Sequence, residues 1–516
     1  MIGNKKKRRK LFLILQVVLL FLLTVSISGY FSFFGVEPHH HGIMLKPAFD
    51  MNHGQMLFRD TFTQYGAFTT ILHYWALHIF GNYLIVINLL TATFYGFVVV
   101  FLWLTWSLFL PPILTTGACL IWLFLAPYYL PDYFFLPWSS VYSLFFQMAT
   151  LYALLRHLKS KRMMWQIAAG IAAALTFWAR QPVGIFMIIS IGIFFSLLKI
   201  KKYKFSSLFP FLISYVCIHS IFFVWLMMNK ALGDWWYQTI RFPFLWAQSL
   251  PQPRIPLTQI IANLFPNPLP ASNPIISLWA VLPIVILYMG YAILIAKEKR
   301  KEHMLVLLGV IISLSSWLQY HPVPDIRHLY WSASPMIGFV IYFIWRHTGA
   351  YKKYATFCII CLLLFAPDML YRMQQGRRKM KEVASYGTLT TPSILRGMKV
   401  PLQEKIEYEE AMRTIEVYEK KYPYTFITTT ARDALYSMFD GKSVNCDAFT
   451  VNWNWKPIDP ELAKQYSQTM KDCIAIHKPL VFSEILSYQD TYQPEGYVRV
   501  TKGMPGINYL LIPSFR

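Results

Sequence analysis

Three consecutive histidines, His39, His40 and His41, open a mixed polar and apolar stretch that runs from Glu37 to Gly81. Imidazoles, carboxylates and cationic side chains set among Met, Leu, Phe and Trp can move protons and hold anions at a membrane surface. From Lys46 the spacing predicts a short interfacial helix, with Pro47 in its first turn and Gly54 as its stop. Lys46, Asp50 and His53 then fall at i, i+4 and i+7 on one face, and Met44, Ala48 and Met51 form an apolar stripe on another. Such a helix can wall an active site, or it can simply seal a bundle. A divalent metal on the histidine run is possible but not favoured, because consecutive residues rarely converge on one ion and no DxD-like pair accompanies them. No cofactor is expected.

Two further polar groups sit between apolar runs. WARQPVG places Arg180 and Gln181 between one apolar run and the next, and HPVPDIRH places Asp325, Arg327 and His328 in a short turn. A guanidinium at the end of a span can snorkel to the interface, or it can hold a phosphate bidentately at headgroup depth. The Asp325 group can likewise be a salt-bridged turn. Arg59, Lys230, Arg241 and Arg254 are the other basic residues expected on the outer side.

The elements that must position these groups are membrane spans. The chain has 516 residues, is 56% hydrophobic and is only 14% charged. Apolar runs of about 17–25 residues recur, each long enough to cross a hydrocarbon core of roughly 30 Å. Expected spans cover 11–34, 84–106, 109–129, 136–156, 164–180, 183–199, 206–228, 275–296, 304–319, 329–346 and 355–371. The net charge of +23 does not indicate nucleic-acid binding, since its Lys/Arg clusters lie mostly in short segments between spans. There they set topology and favour anionic lipid. The N-terminal KKKRRK then lies in the cytoplasm, residues 35–83 form the first external loop, and the C-terminus lies outside. Arg372, Arg377, Arg378, Lys379 and Lys381 follow the last span on the outer side, against the trend. The expected class is therefore a polytopic α-helical protein of the plasma (inner) membrane, with about eleven transmembrane helices and a small C-terminal α/β domain.

That domain is expected over 403–516, after a linker over 372–402. Its QEKIEYEEAMRTIEVYEKKYP reads as a charged amphipathic helix, YTFITTT as a strand, ARDALYSMF as a helix, and KPLVFSEI and INYLLIPS as strands. No GxGxxG or GxxxxGK loop occurs in it. Cys446 and Cys473 can pair if it lies outside the cytoplasm.

The basic tail and first span, the long loop with an acidic residue and the string LFRDTFTQYG, WARQPVG, and HPVPDIRH together resemble a known pattern. It is that of GT-C type integral-membrane glycosyltransferases that use polyprenyl-phosphate sugars, akin to protein mannosyltransferases and the aminoarabinose transferases of lipid A. The likeness covers about residues 1–371. It implies inverting transfer from a polyprenyl-phosphate sugar to a glycan, lipid or protein acceptor, with an acid of the first external loop as general base. Where such loops carry His-His-Asp-Gly, this chain has His39-His40-His41-Gly42. The resemblance therefore leaves Asp50 or His41 as base, with Asp60 and Glu37 in reserve. Lys46, Arg59, Arg180, Gln181 and Arg327 become donor-phosphate ligands, supported by His40, His53, Asp60, Asp325 and His328. A transporter or flippase of lipid-linked sugars is the rival reading, but charges gather at span ends and His219 is the main ionisable group inside one. An inactive envelope scaffold is a third reading.

Overall fold

The computed structural model describes residues 2–200, 208–249, 278–296, 301–320, 326–348, 354–422, 425–429, 433–442, 446, 460–484, 494–500 and 508–514. Asp325 and Arg254 lie outside the described residues.

The membrane part is a helical bundle. In chain order its helices are α1 (Ile2–Phe31), α2 (Pro38–Asn52), α3 (Ala67–Phe80), α4 (Leu84–Trp106), α5 (Pro112–Phe124), α6 (Ser139–Ser160), α7 (Met163–Ala179), α8 (Gln181–Ile200) and α9 (Phe209–Met228). They continue as α10 (Leu232–Trp236), α11 (Phe242–Ser249), α12 (Leu278–Ile295), α13 (Lys301–Trp317), α14 (Ile326–Thr348) and α15 (Tyr354–Val383). A helix stands over each segment expected to span. Among the described residues five stretches are long and apolar enough to cross a bilayer, namely Leu11–Phe31, Leu84–Trp106, Gln181–Ile200, Phe209–Met228 and Thr356–Val383. Pro112–Phe124, Met163–Ala179 and Val281–Ile295 are shorter apolar helices. The chain is a multi-pass membrane protein: in lipid a backbone must satisfy its own polar groups, and helices do so.

One aromatic-rich core, from Leu20 on α1 to Phe365 on α15, holds the bundle together. Close approach needs small residues at the crossings. A Cβ on Gly338 of α14 would strike the Trp106 ring, and one on Gly170 of α7 would strike the α9 backbone at Phe211.

The last long helix does not stop at the expected end of its span. α15 runs on to Val383, and residues 387–400 then form a hairpin of β1 (Gly387–Thr388) and β2 (Lys399–Val400). The end of this helix and the hairpin thus occupy much of the stretch read as a linker. Its out-of-trend cations are partly structural. Arg372 is 2% exposed and donates to the Ala126 carbonyl, and Lys379 donates to the carbonyls of Tyr128, Leu130 and Tyr133.

Beyond α16 (Leu402–Lys421) and α17 (Pro460–His477) lies a mixed four-stranded sheet, in the order β3 (Ile427–Thr429), β4 (Leu480–Glu484), β6 (Asn508–Pro513), β5 (Tyr497–Arg499). Only the β3–β4 pair is parallel. The expected strands and the charged helix are present, while ARDALYSMF contributes a 3-10 turn, Ala434–Met438. Cys446 and Cys473 are joined.

This C-terminal part shares a core with the first loop. Leu45, Ala48 and Phe49 of α2 and Leu84 of α4 pack with Leu395, Met398, Tyr408, Leu435 and Phe482. Strand β2 also ties to the end of α1, with Lys399 N–H donating to the Phe33 carbonyl and Gly35 N–H to that of Lys399.

Candidate functional site

The loop helix α2 starts earlier than the Lys46 spacing suggests. Glu37 is its N-cap and Pro38 its first residue, so all three histidines lie in its first turns and Pro47 lies within it. Its charged pair also faces inward. Lys46 is 3% and Asp50 1% exposed. Lys46 Nζ donates to both Asp50 carboxylate oxygens, at 2.7 and 2.8 Å, and Thr61 Oγ1 donates to Oδ2 at 2.7 Å. The pair is a buried, hydrogen-bonded ion pair between successive helix turns.

His41 is fully buried, with both ring nitrogens engaged. Nε2–H donates to the Phe135 carbonyl at 3.0 Å, and Nδ1 accepts the Glu37 backbone N–H at 2.9 Å. A backbone donor on one nitrogen and a carbonyl on the other fix the neutral tautomer. Burial, the largest influence, holds its pKa down at about 4. Its basic lone pair is therefore occupied.

Glu37 differs from both. Its Oε2 accepts the His40 backbone N–H and, at 2.8 Å, the His40 ring Nδ1. No hydrogen bond from a described residue reaches Oε1, and the side chain is 28% exposed. Burial by itself would raise the Glu37 pKa, but the hydrogen bonds and charge of His40 outweigh it and bring it down to about 2. Glu37 is an ionised carboxylate with an open oxygen, in the first turn after a span.

Around it the fold gathers groups from distant parts of the chain. The His40 ring lies 5.1 Å from that of Trp138, at the head of α6. Trp138 also meets Tyr65 at 5.5 Å, His328 at 6.0 Å and Trp331 at 6.3 Å. Arg180, between α7 and α8, donates to Ser140 Oγ beside Trp138. Arg327, in the first turn of α14, lies over the Tyr133 ring and lines a small pocket with Trp138, Phe135, Tyr95, Tyr128 and Trp331. Both guanidiniums act electrostatically on the Tyr65 hydroxyl. Among the donors in this neighbourhood that are buried without a partner among the described residues are Trp138 Nε1–H and the Gln181 side-chain amide. Buried donors left open are costly unless a ligand satisfies them. A carboxylate with a free oxygen, two guanidiniums and two open donors can together accept a proton and hold a phosphate.

The remaining expected residues lie apart. Arg59 and Asp60 form a bidentate pair of their own, at 2.8 Å on each side, and Arg59 also donates to the Asn229 carbonyl. His53, at the C-cap of α2, is exposed and bonds to the Phe49 carbonyl at 2.8 Å. His39 and His40 rings are 5.0 Å apart, and among the described residues no three His, Cys, Asp or Glu side chains converge as metal ligands. His219 sits in an aromatic cage with Phe177, Trp178 and Tyr215. Sequence reasoning missed Trp138, Tyr65 and Ser140. The signal for Trp138 and Ser140 was LPWSS, an aromatic and two hydroxyls at the head of a span.

The C-terminal part closes over the same helix. His39 Nδ1 lies 3.8 Å from Asp433 Oδ1, and Gly42 faces the Ala434–Leu435 backbone, where a Cβ would come within 2.5 Å of Leu435 N.

No family model matches the chain, and no curated protein matches it in sequence. Solved structures do. The apo oligosaccharyltransferase of Archaeoglobus fulgidus superposes with a TM-score of 0.51 at 11% identity, covering 90% of this chain and 69% of that one. ArnT of Cupriavidus metallidurans, solved bound to undecaprenyl phosphate, superposes with a TM-score of 0.50 at 10% identity, covering 96% of this chain and 97% of that one. The chain shares the fold of these two structures, a GT-C-like fold.

Proposed function

We propose that this protein transfers a sugar from a polyprenyl-phosphate donor to an acceptor hydroxyl at the outer face of the plasma membrane, with inversion at the anomeric carbon. The observation that carries this reading is that Glu37 through His40, Arg180 through Ser140, and Arg327 directly are all tied to the Trp138 end of α6, in a GT-C-like fold.

Glu37 Oε1 takes the proton of the acceptor hydroxyl as that oxygen bonds to the anomeric carbon. The bond from that carbon to the phosphate oxygen breaks, and its electron pair stays on the phosphate. Arg180 and Arg327 offset the charge that develops there, and Gln181 and Trp138 Nε1–H offer it neutral donors. Asp50 and His41 support this apparatus as structure: the first neutralises Lys46 and the second fastens the turn after α1 to Phe135. Candidate acceptors are glycans, lipids and proteins, and the Cys446–Cys473 bond agrees with an extracytoplasmic C-terminal domain. An eleven-span topology, with the N-terminus inside, is part of the proposal.

The test is transfer of label from polyprenyl-phosphate sugars in membranes containing the overexpressed chain. Donor consumption above that of control membranes supports the reading, and donor left intact in every acceptor preparation opposes it.

A further inference from the structure

A second cavity, of about 380 Å³, lies between α1 and α15. From α1 it takes Ser26, Ile27, Tyr30 and Phe31, at i, i+1, i+4 and i+5. From α15 it takes Arg372, Met373, Gly376, Arg377 and Met380, which likewise share one helix face. Phe124 and Tyr129 form its floor, and the Tyr128–Tyr129 pair, with ring centroids 5.0 Å apart, divides it from the pocket lined by Arg327.

The walls are apolar and open sideways to where hydrocarbon would lie. Tyr30 is 44%, Met373 44% and Met380 51% exposed, and Leu22 and Leu370 continue the exposed apolar surface. Two cations stand in this setting. Arg372 is 2% exposed, donates from Nη1 to the Ala126 carbonyl and lies over the Trp279 ring, while among the described residues its Nε–H has no hydrogen-bond partner and no carboxylate lies within ion-pair distance. Its nearest acid, Asp368, one turn back, leaves its own Oδ1 unpaired. Arg377 is exposed and also lines the cavity. Lys379 is fully used by three carbonyls and takes no part.

An apolar slot with an open buried guanidinium donor and a second arginine at its rim matches a phosphodiester carrying hydrocarbon chains. We infer that this groove binds an anionic glycerophospholipid of the bilayer, its phosphate on Arg372 and Arg377 and a chain along α1. The donor lipid is the weaker match, because the Tyr128–Tyr129 wall separates the groove from Arg327. The inference depends on the chain lying in a membrane and not on sugar transfer. The bound lipid would brace α15, which leads into the C-terminal part, against α1.

The test is native mass spectrometry of the full-length protein in detergent, titrated separately with dioleoylphosphatidylglycerol, dioleoylphosphatidylcholine and undecaprenyl phosphate. Phosphatidylglycerol should bind about five-fold more tightly than phosphatidylcholine, the scale of a partly exposed charge contact. Arg377→Gln should remove most of that preference without unfolding, since Arg377 is exposed and makes no ion pair with a described residue. Gly376→Leu, which fills the slot in front of Tyr129, should lower occupancy by either phospholipid. Equal binding of both phospholipids, or an unchanged preference in Arg377→Gln, overturns the proposal. So does arginine dependence confined to undecaprenyl phosphate, which would give the groove to the donor.

Discussion

Glu37 and His40 are joined twice, through the His40 backbone N–H and through its ring Nδ1, and both bonds end on the same carboxylate oxygen. The other oxygen stays open while the carboxylate stays ionised. His40 therefore sets the acid limit of the proposed chemistry. His40→Ala removes the ring's hydrogen bond and charge but keeps the backbone N–H bond, so burial should raise the Glu37 pKa from about 2 part of the way toward its ordinary 4.5. The acid limb of kcat/KM should move to higher pH, with the rate at neutral pH changed less than at pH 5. The sign for stability agrees. A carboxylate whose folded pKa is depressed stabilises the fold above pH 4.5 and loses that contribution as pH falls toward 2. In wild type the contribution should fade over that window, and in His40→Ala it should be smaller.

Asp50 and Lys46 should behave as a structural pair. Asp50→Asn leaves a buried ammonium uncompensated and should cost about 3–5 kcal/mol. Asp50→Leu combined with Lys46→Met should recover most of that loss in thermal unfolding, and it should keep transfer activity. A folded double variant without activity would return Asp50 to the chemistry.

The five long apolar helices found among the described residues were legible because a membrane helix must be long and apolar, and run length alone records that. The inward turn of Lys46 and Asp50 was not legible, because an i, i+4 charge pair reads the same on a helical wheel whether water or protein faces it. The start of α2 was half legible. Glu-Pro before a helix is an N-cap followed by a residue suited to the first turn, yet the Lys46–Pro47 step drew the boundary eight residues too late. Arg180, Gln181 and Arg327 stood out because polar groups at span ends are few. Trp138 did not, because an interfacial Trp ordinarily serves as an anchor. Its contacts with four rings from three separate parts of the chain depend on tertiary packing, which no local pattern encodes.

Arg180 and Arg327 should matter through the donor phosphate. Arg180→Gln or Arg327→Gln should lower kcat/KM by about 10- to 100-fold, the scale of one charge-assisted hydrogen bond. Lysine at either position should restore less than half of the loss on a logarithmic scale, because an ammonium lacks the fork. Steady-state kinetics with a fixed acceptor and varied polyprenyl-phosphate sugar reads this directly. Unchanged kinetics in both glutamine variants would remove the guanidiniums from the donor site.

Gly42 should control how the C-terminal part seats on α2. Gly42→Ala pushes a methyl group into the Leu435 backbone and should cost about 1–3 kcal/mol. The expected sign is faster limited proteolysis within residues 425–442, with the helical content of the bundle retained. Proteolysis at the wild-type rate would show that the turn Ala434–Met438 yields easily.

The central claim is that Glu37 is the base, and Glu37→Gln tests it most directly. The amide keeps the shape and can still meet His40, but it cannot take a proton. Transfer of labelled sugar from a polyprenyl-phosphate donor should fall about 100- to 10,000-fold, while binding of the donor changes little. Wild-type transfer by a folded Glu37→Gln protein would contradict the account and send the search for the base back to Asp50, Asp60 and His41.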